Sequence, residues 1–368
     1  MFELQTAVSV RRMSNVPELG IIEGYFGAPW RWDDRTHVMR ALSAHGYRFF
    51  IYAPKGDPFL RRRWKEPHPK ATHDALANFA AACRAAGVRF GVGLSPFELY
   101  RHFDDGARAT LKARIAELDS LGLDDLAILF DDMRGDIPDL ATRQATIMSF
   151  ASACTKATRL IMCPSYYTDD AVLDRVFGVR PANYLEDLGR LLDPKVEIFW
   201  TGEEVCARAF SPGHLDDVAA RLRRKPFLWD NYPVNDGPRM SQFLHLRAFT
   251  GRPASMAAHV AAHAINPALQ PHLSLIPALT LADSYAQGDG YRYMAAFRDA
   301  ARSVVGDECA QLIENDLLSL QDAGLANLGA RVARLRAKYA AHAHPAALEI
   351  VAWLDGAYAI TSEEMLTS

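Results

Sequence analysis

The chain has few cysteines, no uninterrupted apolar run long enough to cross a bilayer, and no marked excess of either charge. Its five cysteines, Cys83, Cys154, Cys163, Cys206 and Cys309, are odd in number and widely spaced, with no C-x-x-C pair. That pattern excludes a disulfide framework and a cysteine zinc site, and it fits a reducing compartment. Lys and Arg total 41 against 44 Asp and Glu, for a formal net charge of -3, so the composition gives no reason to expect a nucleic-acid or membrane partner. Met1–Gln5 lacks a basic region followed by an apolar run, and Arg11-Arg12 is followed by Met-Ser-Asn-Val-Pro. Neither a secretory nor a twin-arginine signal is expected, and the expected location is the cytoplasm. The basic run Arg61-Arg62-Arg63-Trp64-Lys65 reads as a solvated loop.

What is present is alternation. Apolar runs at 19–24, 47–53, 88–94, 126–130, 159–163, 196–200 and 226–229 are separated by text of helical period, such as Leu76, Phe79, Ala80 and Cys83, which closes on Gly87. An eighth strand belongs somewhere in 257–265, where Ala/His-rich text reads equally as helix. Eight β-then-α units predict an α/β fold, a (β/α)₈ TIM barrel, rather than a doubly wound sheet. Beyond about residue 270 only helical spacing remains, for example Leu328, Val332, Leu335 and Tyr339. The expected division is an N-terminal extension (1–18), a catalytic barrel (19–270) and a C-terminal helical domain (271–368), whose apolar faces pack on the barrel or form a homodimer.

Chemistry in such a barrel lies just past the C-terminal ends of the strands. The segments there are polar: Glu23-Gly24, Lys55-Gly56-Asp57, Asp131-Asp132, Ser165-Tyr166-Tyr167, Thr201-Gly202 and Asp230-Asn231. Adjacent carboxylates such as Asp131 and Asp132 repel, which raises the pKa of one and yields an acid beside a carboxylate. That division suits glycoside hydrolysis. A helix N-cap pair and a Mg²⁺ site are the competing readings, although no further ligand cluster supports a metal. Trp30, Trp200, Trp229, Tyr25 and Tyr167 offer aromatic surface for a sugar; core packing is the ordinary role of each, and Trp229, between a strand and polar residues, is the one expected in a pocket.

Five motifs recur in order: Glu23-Gly-Tyr-Phe-Gly-Ala-Pro-Trp30, Tyr52-Ala-Pro-Lys55, Leu129-Phe-Asp-Asp132, Trp200-Thr-Gly202 and Trp229-Asp-Asn-Tyr-Pro-Val-Asn-Asp236. Over about residues 19–285 the chain resembles glycoside hydrolase family 84, the protein O-GlcNAcase and bacterial β-N-acetylglucosaminidase family. The resemblance implies a retaining hydrolase without cofactor or metal, acting on terminal β-linked GlcNAc of a glycoside or glycoprotein. It implies substrate assistance: the acetamido oxygen attacks the anomeric carbon and forms an oxazoline. Asp131 would orient the acetamido group and Asp132 would be the acid and then the base. Gly24, through its carbonyl, and Lys55, Tyr167, Trp229, Asn231, Asp236 and Asn266 would contact the sugar. Departures fall at Tyr25-Phe26, where the family often has Phe-Tyr, at Gly56, where it has Asp, and at Tyr166, where Glu is common. Alternatives are an enzyme nucleophile (Glu23, Glu203 or Glu204), a glycosidase for hyaluronan-type or peptidoglycan fragments with the same pocket, and an N-acetyl-sugar-binding barrel without turnover.

Overall fold

The computed structural model describes residues 16–361; most of the expected N-terminal extension lies outside that range. Eight parallel strands close a barrel in chain order: β1 (Glu18–Ile22), β2 (Tyr47–Tyr52), β3 (Arg89–Leu94), β4 (Asp125–Leu129), β5 (Arg159–Cys163), β6 (Glu197–Trp200), β7 (Phe227–Asp230) and β8 (Ala262–Ile265). Closure comes from β8, whose residues 262–265 pair with 18–21 of β1 while 263–265 pair with 228–230 of β7. The ambiguous segment is thus divided: residues 254–259 form a 3₁₀ turn and only the last four are strand. Every strand except for scattered edge positions is buried, because helices cover the outside and packed side chains fill the inside.

The helical spacing read from the sequence is the buried face. Leu76, Phe79, Ala80 and Cys83 are the buried residues of helix Lys70–Ala85, and Gly87 follows it with φ +68 as a left-handed terminator. At the N-terminal end of the barrel Asp125 takes hydrogen bonds from Arg89 and Arg159, and Arg159 also reaches Glu18 at 2.8 Å. This ion cluster lies at the end opposite to the polar strand termini.

Helix Pro271–Gln287 packs on helix Trp32–Ser43, and Tyr47 donates to its Ala278 carbonyl at 2.8 Å. It therefore occupies the place of the eighth barrel helix. We propose accordingly that the barrel unit runs to about residue 287 and that the helical appendage begins there, later than the sequence pattern indicated. Glu349, from helix Pro345–Leu354, accepts the backbone N–H groups of His272 and Leu273 at 2.9 Å each, capping helix 271–287 from outside. A single π-turn at Leu318–Asp322 brings Gln321 to the backbone N–H groups of Leu246 and Arg247. The appendage thus braces the long loop between β7 and β8. That loop carries two of the expected site residues.

Candidate active site

A cavity of about 180 Å³ opens at the C-terminal end of the barrel. Gly24, Asp131, Asp132, Tyr167, Trp229, Asn231, Asp236 and Asn266 all line it, contributed by segments following β1, β4, β5, β7 and β8 and, for Trp229, by β7 itself. Lys55 does not. A larger cavity of about 430 Å³ lies between residues 27–31 and the C-terminal helix, but its polar groups are committed to protein partners: His272 to Asp34 at 3.1 Å and Glu349 to the helix cap.

Asp131 is 4% exposed. The Nζ of Lys55, itself buried, donates to its Oδ2 at 2.5 Å, while Oδ1 is buried without a hydrogen-bond partner among the described residues. A carboxylate oxygen left so in a cavity costs free energy unless a ligand donor meets it. Lys55 thus stands behind Asp131 as its counter-ion. Lys55 is absent from the cavity lining, although its Nζ lies 5.9 Å from the ring centre of Trp229, which lines it.

Asp132 is partly exposed and takes the left-handed backbone conformation, φ +56, which is rare for a residue with a side chain. Its Oδ1 accepts from Tyr167 Oη at 3.0 Å and its backbone carbonyl from Arg61 Nη2 at 3.1 Å. Burial pushes the Asp132 carboxyl up from its ordinary range and the neighbouring Asp131 adds to this; Lys55, Arg61 and the Tyr167 hydroxyl pull the other way. Asp132 is thus pushed toward its protonated form beside an Asp131 paired with Lys55. The N-cap reading fails, since the next helix starts at Leu140, well beyond the pair. No group of three or more His, Cys, Asp or Glu that could hold a metal ion occurs among the described residues.

One wall of the cavity is held by a chain of amides. Asn231 Oδ1 accepts from Trp229 Nε1 and from Asn266 Nδ2, each at 3.0 Å, and its own Nδ2 donates to the Val205 carbonyl at 2.8 Å. Asn266 Oδ1 accepts the Gly24 N–H at 3.0 Å. Asn231 therefore orients Trp229 and Asn266 and has little left for a ligand. Trp229 lies against Gly24 so closely that a Cβ there would sit 1.9 Å from Cζ2; only glycine permits the indole to pack on this backbone. Asp236 Oδ2 accepts the Phe26 N–H at 2.8 Å, and burial raises its carboxyl to about 6, with Asp132 adding to the rise and Phe26 and Lys55 opposing it.

The other aromatics are core. Trp30, Trp200 and Tyr25 are buried outside the cavity, with Trp200 Nε1 donating to His214 and Tyr25 Oη to Glu23. Two departures from the family pattern are packing features. A Cβ at Gly56 would lie 2.3 Å from the Gly27 carbonyl, and Tyr166 is fully buried with its hydroxyl on the Gly178 carbonyl. The candidate nucleophiles are out of place: Glu23 is fully buried in an ion pair with Arg35 at 2.6 Å, and Glu203 and Glu204 are exposed and absent from the lining. Sequence reasoning missed Phe26, Cys163, Val205, Cys206 and Val234, which together with Thr201 complete the lining. Phe26 and Val234 lie within the quoted motifs, a signal that could have found them.

The family described as beta-N-acetylglucosaminidase matches residues 19–317. Similar curated proteins include the protein O-GlcNAcases of Rattus norvegicus and Mus musculus, each 25% identical over 298 residues. The match covers 78% of this chain but 32% of theirs, so the chain spans about a third of the length of these relatives. Among solved structures, a mutant of the Thermobaculum terrenum O-GlcNAc hydrolase superposes with a TM-score of 0.74 at 26% identity, over 89% of this chain and 72% of that one. With the match running through every strand of the barrel and every residue lining the cavity, the chain belongs to the β-N-acetylglucosaminidase family, glycoside hydrolase family 84.

Proposed function

We propose that this chain is a retaining β-N-acetylglucosaminidase of the O-GlcNAcase type, hydrolysing terminal β-linked GlcNAc with the substrate's own acetamido group as nucleophile. The observation that carries this reading is the unpartnered, buried Oδ1 of Asp131 beside an Asp132 whose carboxyl is pushed toward the protonated form. The N–H of a 2-acetamido group is a donor suited to that oxygen. Held there, its carbonyl oxygen is placed to attack the anomeric carbon as the glycosidic C–O bond breaks and Asp132 transfers its proton to the leaving oxygen. The oxazolinium positive charge is met by Asp131, which Lys55 keeps in place. Asp132, now a carboxylate, takes a proton from water; the water oxygen bonds to the anomeric carbon, the ring C–O bond opens, and the acetamide is restored with retained configuration. Trp229 supplies the apolar wall, and Asp236 and Asn266 the polar contacts.

Adjacent carboxylates cannot flank a sugar as acid and enzyme nucleophile, which require about 5 Å of separation across the ring. This supports substrate assistance over a glycosyl-enzyme ester, as does the engagement of Glu23 with Arg35. The natural aglycone, a homodimer through the C-terminal helices and a cytoplasmic location belong to the same proposal; among the described residues no helix is long and apolar enough to cross a membrane. The experiment is a turnover comparison of an aryl N-acetylglucosaminide, a GlcNAc-modified peptide and a GlcNAc-terminated oligosaccharide, each with and without a thiazoline mimic of the intermediate. Thiazoline-sensitive turnover supports the proposal. Tight thiazoline binding with no turnover of any substrate would instead favour a sugar-binding barrel.

A further inference from the structure

The basic run after β2 contains one arginine that is not solvated. Arg62 and Arg63 are exposed, whereas Arg61 is 4% exposed and its Nη2 donates to the Asp132 carbonyl at 3.1 Å, with the guanidinium 5.3 Å from the Phe97 ring centre. The loop is pinned on both sides of it. Asp57 accepts from the Tyr52 hydroxyl at 2.9 Å, from the Phe59 N–H at 3.0 Å and from His68 Nε2 at 3.0 Å. Arg114 Nη2 donates to the Phe59 carbonyl and to His68 Nδ1, both at 3.1 Å, so the His68 proton given to Asp57 sits on Nε2. The Ser95 N–H closes the cage on the Leu60 carbonyl at 2.7 Å. A buried polar network with this many members, built under a surface loop, fixes one arginine against the backbone of one carboxylate residue.

That residue needs holding. The left-handed conformation of Asp132 is strained for a residue with a side chain and persists only where surroundings enforce it. We propose that Arg61 is a positioning residue for Asp132: it locks the backbone that presents the carboxyl to the cavity, and its fixed charge steadies the carboxylate that forms when Asp132 gives up its proton. This rests on the reading of Asp132 as acid and base. Among the described residues, the charged or titratable groups that face Asp132 are Asp131 on its own segment, Lys55 and Arg61 from the β2 loop, Cys163 at the end of β5, Tyr167 after it, and Asp236 from the β7 loop. Of these only Lys55 and Arg61 are cations, and Lys55 is engaged by Asp131. Arg61 reaches the Asp132 main chain through Nη2, and its charge favours the Asp132 carboxylate.

The test uses the whole chain with Arg61→Met and Arg61→Lys. Carboxyl ¹³C titration, with the Asp132 signal assigned by its loss in Asp132→Asn, reads the group directly; the pH profile of kcat/KM on an aryl N-acetylglucosaminide reads its consequence. In Arg61→Met the Asp132 titration should move up by about one pH unit, the basic limb of the profile should follow, and kcat should fall more than KM changes. Arg61→Lys, which keeps the charge but not the planar donor pair, should restore the titration while recovering only part of kcat. An Asp132 carboxyl that titrates in Arg61→Met, or in Arg61→Gln should the former fail to fold, as it does in the parent would overturn the inference. If the parent hydrolyses no GlcNAc glycoside, the glycosidase reading falls, and the carboxyl titration still decides the role of Arg61.

Discussion

Lys55 holds Asp131 by one oxygen and leaves the other without a partner: Nζ is 2.5 Å from Oδ2, and Oδ1 is buried with no hydrogen-bond partner among the described residues. The pair is buried, so the lysine both neutralises the carboxylate and fixes its rotamer. In the proposed mechanism the unpaired oxygen is the one that meets the acetamido N–H.

Lys55→Met should therefore strand a buried charge and cost about 3–5 kcal/mol of stability. Lys55→Met combined with Asp131→Asn should recover much of that stability, because neither charge remains, yet regain no turnover. Chemical denaturation and kcat/KM of the parent and both variants check this; a double variant with restored activity would contradict the role given to Asp131.

Removing the acid should discriminate between leaving groups. Asp132→Asn is expected to lose about 10²–10⁴-fold in kcat on an alkyl or peptide-linked GlcNAc. The loss should be much smaller in bond cleavage from a dinitrophenyl glycoside, whose leaving group needs no proton. Equal losses across a leaving-group series, read from single-turnover rates, would remove Asp132 from the acid role.

Gly24→Ala forces a Cβ into a space 1.9 Å from the Trp229 indole. The ring must move, and with it the Asn231–Asn266–Gly24 chain that it anchors. Overpacking of this kind costs about 1–3 kcal/mol, and KM should rise together with a fall in kcat. Unchanged thermal stability and KM would show that the indole does not depend on this backbone.

The pH dependence follows from two raised carboxyls. Asp236, pushed up to about 6, should be ionised to contact sugar hydroxyls, so activity should rise as pH increases through about 6. Asp132 is raised also, but its protonated form is the active one at the first step, so kcat/KM should fall as pH rises through its pKa. Asp236→Asn should lose the acidic limb while keeping the basic one; retention of the acidic limb would assign it to another group.

The barrel was legible because its signals are local. Seven apolar runs matched strands to within a residue or two, and the 70–85 helix pattern matched its buried face. The eighth strand was blurred because Ala/His text carries no period, and its identity comes from pairing with β1 and β7. Helix 271–287 read as appendage because its barrel neighbour, helix 32–43, is distant in sequence. Within the site, residue types at strand ends identified the cavity wall, but not how each group is engaged. That Lys55 serves Asp131, that Asn231 serves Trp229 and Asn266, and that Arg61 reaches the Asp132 carbonyl are consequences of tertiary geometry. The left-handed backbone of Asp132 has no composition signal, since glycine or asparagine usually marks such a position.

The central claim, that the substrate supplies the nucleophile while Asp131 and Asp132 divide the remaining work, is tested most directly by kcat/KM across aryl glucosaminides whose N-acyl group carries none, one, two or three fluorines. Fluorination withdraws electrons from the acyl oxygen without changing the glycosidic bond, so the account predicts a steep monotonic fall along the series. A flat series would mean that the acyl oxygen does not attack, and would contradict it.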